Sequence, residues 1–116
     1  MTGEFQEKMD RFWQESDTEA LRSKDSQYVQ ERLARWISNL SPSEREQADE
    51  ILISWIHSGD SQRQFDALSL ISELGVTAAI PELRVLAMEF EQSDKPSAPY
   101  DWAWVNRIIG RLREST

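Results

Sequence analysis

The sequence predicts an all-α fold of about six helices, and three observations support this prediction. Apolar residues recur at three- and four-residue steps through most of the chain, which is the spacing of one helix face. Serine, proline and glycine fall at the ends of these segments, where they cap, start and terminate helices. No segment alternates apolar and polar residues between turn signals, as a strand would. With 116 residues, the chain is expected to form a single domain with its own apolar core.

Two helices and a connection are predicted in the first third of the chain. Residues 4–15 place their apolar side chains on one side of a helix, and acidic residues in the first turn suit its positive N-terminal end. Residues 16–26 are polar and are predicted to be a connection, with a short turn around 18–22. The next helix is predicted over about 26–39. Its apolar stripe consists of Tyr28 or Val29, Leu33, Trp36, Ile37 and Leu40.

The strongest local signal is the motif Ser41-Pro42-Ser43-Glu44. It predicts a capping box in which Ser41 caps the helix and the Glu44 carboxylate reaches back to the Ser41 N–H. Pro42 then takes the first helical position, where its missing N–H costs nothing. This third helix is predicted to reach about His57, with Gly59 ending it. Its inward residues are predicted to be Ala48, Ile51, Leu52, Trp55 and Ile56.

Residues 60–91 are predicted to form two amphipathic helices joined by a glycine-containing turn, and the rest of the chain is organised around them. Ser61 is the expected N-cap of the first helix, and Gly75 is expected to close it in a left-handed conformation. Pro81 falls in the first turn of the second helix. The apolar stripes are Phe65, Leu68, Ile71 and Leu74 in the first helix and Ile80, Leu83, Leu86, Ala87 and Phe90 in the second.

A last helix is predicted from Pro99 to about Glu114, after a polar loop at 92–98. Three arginines near its C-terminal end suit the negative end of the helix dipole. Its inward stripe is predicted to be Trp104, Val105, Ile108, Ile109 and Leu112.

The central segment resembles a HEAT-type helical repeat. The resemblance rests on the run ALSLISELG at 67–75, on AIPEL at 79–83 and on the Leu86-Ala87 pair that follows. The run IIGRL at 108–112 resembles the first helix of a following repeat. The resemblance covers about residues 60–113. It implies a right-handed stack of helical hairpins with a protein-binding surface and no inherent catalysis.

Composition narrows the classes of partner. The formal net charge is −8 and the sequence pI is about 4.6, which argues against nucleic acid and against anionic membranes and favours a basic protein partner. The chain has no cysteine, so disulfides and thiolate chemistry are excluded. No apolar run is long enough to span a bilayer, and the N-terminal segment is charged and lacks a signal-peptide core. A cytoplasmic protein is therefore expected.

The sequence offers little for catalysis. His57 is the only histidine, and its neighbours are those of a helix end followed by the next cap, so we interpret it as an exposed side chain at a helix C-terminus. Phosphate-binding loops and metal-binding helix motifs are missing, and neighbouring carboxylates point to different sides of their helices. We therefore predict a protein that is not an enzyme and that has no catalytic residues, no cofactor and no metal site.

Candidate binding residues come from the tryptophans and the acids. Trp13, Trp36 and Trp55 fit apolar stripes and are predicted to lie in the core. Trp102 and Trp104 are about 200° apart on a helix, so an inward Trp104 leaves Trp102 facing outward or sideways. Trp102 then either belongs to a recognition patch or packs on the 92–98 loop. The predicted partner-binding residues are Glu44, Glu46, Asp49, Glu50, Tyr100, Asp101 and Trp102.

These observations favour a non-enzymatic protein-binding module. One concrete version is an immunity-type inhibitor of a basic bacterial toxin, such as a cationic nuclease domain, whose phosphate-binding face the acidic residues would cover. The alternative is a structural or regulatory HEAT-like scaffold, or a homodimeric adaptor that pairs through an aromatic face. The acids themselves have a simpler interpretation as a solvated surface. A small-molecule pocket lined by tryptophans is a third hypothesis.

Overall fold

The computed structural model describes residues 2–23 and 27–114. These residues form six α-helices and one short 3-10 turn, and no strand occurs among them, which confirms the predicted all-α fold class. No helix within this part of the chain is long and apolar enough to cross a membrane. The helices are α1 (Thr2–Ser23), α2 (Tyr28–Ser38), α3 (Pro42–Trp55), α4 (Ser61–Leu74), α5 (Ile80–Glu91) and α6 (Ala98–Glu114).

The chain divides into two compact units, Met1–Leu52 and Ile53–Thr116. Unit 1 holds α1, α2 and most of α3, whereas unit 2 holds the end of α3 with α4, α5 and α6. The sequence predicts a single domain from chain length, and this stays a prediction.

Helix α1 is longer than the sequence predicts. It runs Thr2–Ser23, so most of the predicted connection over 16–26 is helical. Ser16 is fully buried because it continues the inner face of the helix past residue 15. The Thr18 hydroxyl donates to the carbonyl oxygen of Gln14 at 2.9 Å, so this polar side chain bonds within the helix. The predicted start of the next helix at Ser26 lies outside the described residues.

In unit 1, α1 packs against α2. The ring of Trp36 is stacked between two α1 phenylalanines, with centroid distances of 5.7 Å to Phe5 and 5.2 Å to Phe12. Trp36 is only half-buried, so it is less enclosed than predicted, whereas Trp13 is buried as predicted. The buried residues of these two helices are Phe5, Met9, Trp13, Ser16, Val29, Gln30, Leu33 and Ile37.

The capping box at the start of α3 is confirmed. The Ser41 N–H and hydroxyl donate to Glu44 Oε1 at 3.3 and 3.0 Å, and the Glu44 N–H donates to Ser41 Oγ at 3.3 Å. Pro42 is the first residue of the helix. These reciprocal bonds satisfy backbone groups that the first helical turn leaves free.

In unit 2, α4 begins at Ser61, but the residue before it caps the helix. The Asp60 carboxylate accepts from the N–H groups of Gln62 at 3.0 Å and Arg63 at 3.1 Å. The prediction that Ser61 is the N-cap is therefore wrong. Asp60 has the extended backbone of an N-cap, and an ionised carboxylate there also suits the positive end of the helix.

The turn between α4 and α5 follows the prediction. Gly75 has φ +69° and ψ +44°, and its N–H donates to the carbonyl oxygen of Ile71. The Val76 N–H reaches the same carbonyl at 3.0 Å. A 3-10 turn over Thr77–Ala79 leads into α5, which has Pro81 in its first turn. The left-handed glycine thus reverses the chain between the two helices.

The core of unit 2 is built mainly by the packing of α5 on α6, and α4 also approaches α6. Trp55, at the end of α3, is buried as predicted. Phe65 departs from its predicted inward position, since the residue is 48% exposed. The buried residues of α5 and α6 are Leu83, Leu86, Ala87, Ala98, Val105, Ile108, Ile109 and Leu112.

Gly75→Ala is expected to lower the free energy of unfolding by about 1 kcal/mol, because a Cβ is strained in the left-handed conformation. Chemical denaturation followed by circular dichroism measures this change. Gly110→Ala is the matched control. Gly110 lies inside α6, and a Cβ there would meet nothing within 4 Å. Gly110→Ala is expected to raise the free energy of unfolding by about 0.5–1 kcal/mol, because alanine is the better helix former. Equal effects at the two glycines would contradict the conformational argument.

Candidate protein-binding surfaces

Two of the four predicted acidic contacts on α3 are occupied within the protein. Glu44 closes the capping box, and the Asp49 carboxylate is 2.9 Å from Arg45 Nε. Arg45 and Asp49 are four residues apart, which is the spacing of a helical ion pair. The ion pair with Arg45 offsets the charge of Asp49, whereas the Glu44 carboxylate accepts bonds from uncharged groups of Ser41 and keeps its charge.

Glu46 and Glu50 form the exposed part of this face, and we call them the acidic pair. Both side chains are exposed, and four residues separate them along α3. They therefore lie on the same side of the helix, one turn apart, where like charges repel. Of the four predicted acidic contacts on α3, these two are the fully exposed ones.

Glu50→Lys is expected to raise the free energy of unfolding by about 0.5 kcal/mol, because it replaces the repulsion with an attractive Glu–Lys pair at the favourable spacing. Urea denaturation at low salt measures the gain. The gain should shrink as salt rises, since exposed charges are screened. A gain in stability that does not depend on salt would indicate helix propensity as the cause. Glu50→Gln is the comparison, because it removes the charge of Glu50 without introducing a positive one.

The predicted cluster Tyr100, Asp101 and Trp102 does not form one patch. All three lie on α6, where consecutive residues point about 100° apart. Tyr100 is 80% exposed and Trp102 is 42% exposed, but about 200° of helix rotation separates them. Asp101 is half-buried on a third side of the helix. The two aromatic residues therefore face different surroundings.

A different group of aromatic residues is brought together in unit 2. The rings of Phe65 on α4 and Trp104 on α6 lie 5.2 Å apart at an angle of 33°. Tyr100 lies one turn before Trp104 on the same side of α6. We call Phe65, Tyr100 and Trp104 the aromatic surface. Phe65 and Tyr100 are exposed and Trp104 is half-buried, so this surface combines apolar area with access to solvent.

Sequence reasoning missed this surface because it assigned Phe65 and Trp104 to inward stripes. The available signal was the spacing of Tyr100 and Trp104, which places both on one side of a helix. Phe65 joins them only through the packing of α4 on α6, which no local pattern reveals.

His57 lies just beyond α3, and its Nε2 is 2.8 Å from Glu82 Oε2 on α5. Both side chains are exposed, at 38% and 44%, so the prediction of an exposed histidine is confirmed. An exposed pair of this kind contributes about 0–1 kcal/mol to stability. Among the described side chains, no group of three or more histidine, aspartate or glutamate residues is placed to hold a metal ion.

Comparison with known proteins yields no match: no family model, no curated protein and no solved structure is significantly similar to this chain.

Proposed function

We propose that this protein is a non-enzymatic protein-binding module and that the aromatic surface of unit 2 is its main contact. The observation that carries the proposal is the exposure of Tyr100 and Phe65 beside Trp104. Tyrosine and tryptophan are the side chains that contribute most at protein interfaces, because they bury large areas at little entropic cost. A ring pair held 5.2 Å apart is already ordered before a partner arrives.

The charge of the chain supports a basic partner. With a net charge of −8, the protein attracts cationic partners over distances of about a Debye length. Glu46 and Glu50 supply exposed carboxylates in unit 1, and neither is used in an ion pair with another described residue. Their role is to speed encounter, whereas the aromatic surface slows dissociation.

The finer version of the proposal is a HEAT-like repeat protein that acts as an immunity-type inhibitor of a basic bacterial toxin, such as a nuclease domain. Support for the HEAT-like assignment comes from the turn that links α4 to α5. It has a left-handed Gly75 after Leu74, then Ala79-Ile80-Pro81 at the start of the second helix. This proposal includes a cytoplasmic location, because an immunity-type inhibitor protects the cell that makes the toxin.

The test begins with capture of partners from a lysate of the source cells on the immobilised protein. The same capture is done with the Phe65→Ala/Tyr100→Ala double variant. A specific partner should be retained by the native chain and lost by the double variant, with affinity reduced about 30-fold or more. Met88→Ala is the matched control, because Met88 is 58% exposed on α5 and lies outside the aromatic surface.

Two further variants separate the parts of the proposal. Trp102→Ala tests whether the other exposed face of α6 also contacts the partner. Glu46→Gln/Glu50→Gln should slow association and weaken its salt dependence, with little change in the dissociation rate. Unchanged partner affinity in the Phe65→Ala/Tyr100→Ala variant would remove the aromatic surface from the proposal. An inhibitor of a nuclease should also restore growth of cells that express the captured toxin.

A further inference from the structure

A groove of about 550 Å³ runs along the second half of α1 in unit 1, and Arg32 of α2 lines its other side. Its size falls within the range of small-molecule sites. The charged residues that line it are Arg11, Glu15, Glu19, Arg22 and Arg32.

The guanidinium of Arg32 is held in place by aromatic rings. Its central carbon is 4.9 Å from the ring centroid of Phe12 and 5.5 Å from that of Tyr28, and its Nη1 donates to the Tyr28 hydroxyl at 2.8 Å. Arg32 is half-buried. Among the side chains of residues 3–22 and 27–114, no carboxylate forms an ion pair with it. A guanidinium ordered in this way keeps unused N–H donors in the planar arrangement that suits an oxyanion.

The charges along the groove are ordered. Because Arg32 stacks on Phe12, it lies level with Arg11 on α1, and together they make a positive end. Glu15 follows Arg11 by four residues, which is about 6 Å along the helix axis, and Glu19 follows by another turn. The groove therefore changes from positive at Arg11 to negative at Glu15 and Glu19 within about one to two turns, and Arg22, three residues beyond Glu19, carries a positive charge at its far end.

We propose that this groove binds a small zwitterion, with its carboxylate or phosphate between Arg11 and Arg32 and its ammonium group beside Glu15 and Glu19. A simple anion is disfavoured, because the two glutamates lie in the same groove. A simple cation is disfavoured by the arginines. The groove shares no residue with the aromatic surface, so the proposal does not depend on the proposed partner binding.

The test uses calorimetric and NMR titration of the full chain with zwitterions of different length and with single-charge analogues. The probes are glycine, 4-aminobutyrate, 6-aminohexanoate and O-phosphoethanolamine, with butyrate and butylamine as controls. The structure predicts that 4-aminobutyrate or O-phosphoethanolamine binds at least about tenfold tighter than butyrate or butylamine. The comparison of these two zwitterions identifies the preferred oxyanion. Equal binding of zwitterions and single-charge analogues, or no binding at millimolar concentrations, would overturn the proposal.

Variants locate the site. Arg32→Gln should weaken zwitterion binding about tenfold, and Arg32→Lys should recover only part of the loss because lysine lacks the planar fork. Glu15→Gln should weaken binding of 4-aminobutyrate and strengthen binding of butyrate, and a folding defect could not produce these opposite changes. Arg35→Gln is the control, because Arg35 is exposed on α2 and does not line the groove. Binding that none of these changes alters would show that the zwitterion does not use this groove.

Discussion

Trp13→Ala is expected to lower the free energy of unfolding by about 3–5 kcal/mol. Trp13 is 5% exposed on the inner face of α1, where its ring contributes to the core of unit 1. Its truncation removes a large apolar area from the core and leaves a cavity that the neighbouring helices cannot fully close. Urea denaturation followed by far-ultraviolet circular dichroism measures the loss.

Leu21→Ala is the control for Trp13→Ala, because Leu21 lies on the same helix and is 77% exposed. It is expected to change stability by less than about 0.5 kcal/mol. Similar losses from the two substitutions would mean that α1 does not pack through the face that holds Trp13.

Leu83→Ala is expected to lower the free energy of unfolding by about 2–5 kcal/mol. Leu83 is fully buried on α5, the helix that packs most extensively on α6. This loss has two parts: the transfer free energy of the buried atoms that are removed, and the energy of the cavity that remains. Thermal and urea unfolding measure it. Val85→Ala is the control on the same helix, since Val85 is 46% exposed and its truncation should be nearly neutral. A loss below about 1 kcal/mol for Leu83→Ala would show that this side of α5 is not in a packed core.

The two core substitutions together test the predicted single domain. Trp13 belongs to unit 1 and Leu83 to unit 2. If the chain unfolds as one cooperative domain, both variants shift the same single transition. Two transitions, each sensitive to only one substitution, would instead show that the units unfold independently.

Local signals predicted those parts of the fold that depend on neighbouring residues. The capping box at Ser41 and Glu44 and the left-handed Gly75 were predictable, because a few adjacent residues determine each of them. The sequence does not distinguish the N-cap of α4 in the same way, because Asp60 and Ser61 are both good capping residues. Only the backbone geometry, extended at Asp60, distinguishes them.

Features that depend on packing between helices were not predictable from local patterns. The polar residues after Glu15 suggested a connection, but α1 continues, with Ser16 buried in its inner face. Phe65 fits an inward stripe by spacing, yet it is exposed on α4 and contacts Trp104 of α6. The aromatic surface and the stacking of Arg32 could be predicted only if it were known which helices pack against each other.

The unequal burial of the tryptophans gives the protein a built-in optical reporter. Trp13 and Trp55 are enclosed and should emit at shorter wavelength, whereas Trp102 is 42% exposed and should emit at longer wavelength. Trp104 lies within the aromatic surface beside Phe65, and Trp36 stacks on Phe12, the ring that also contacts Arg32 of the groove. A bound protein and a bound zwitterion should therefore perturb different indoles, and single-tryptophan variants would separate the two signals without any attached dye.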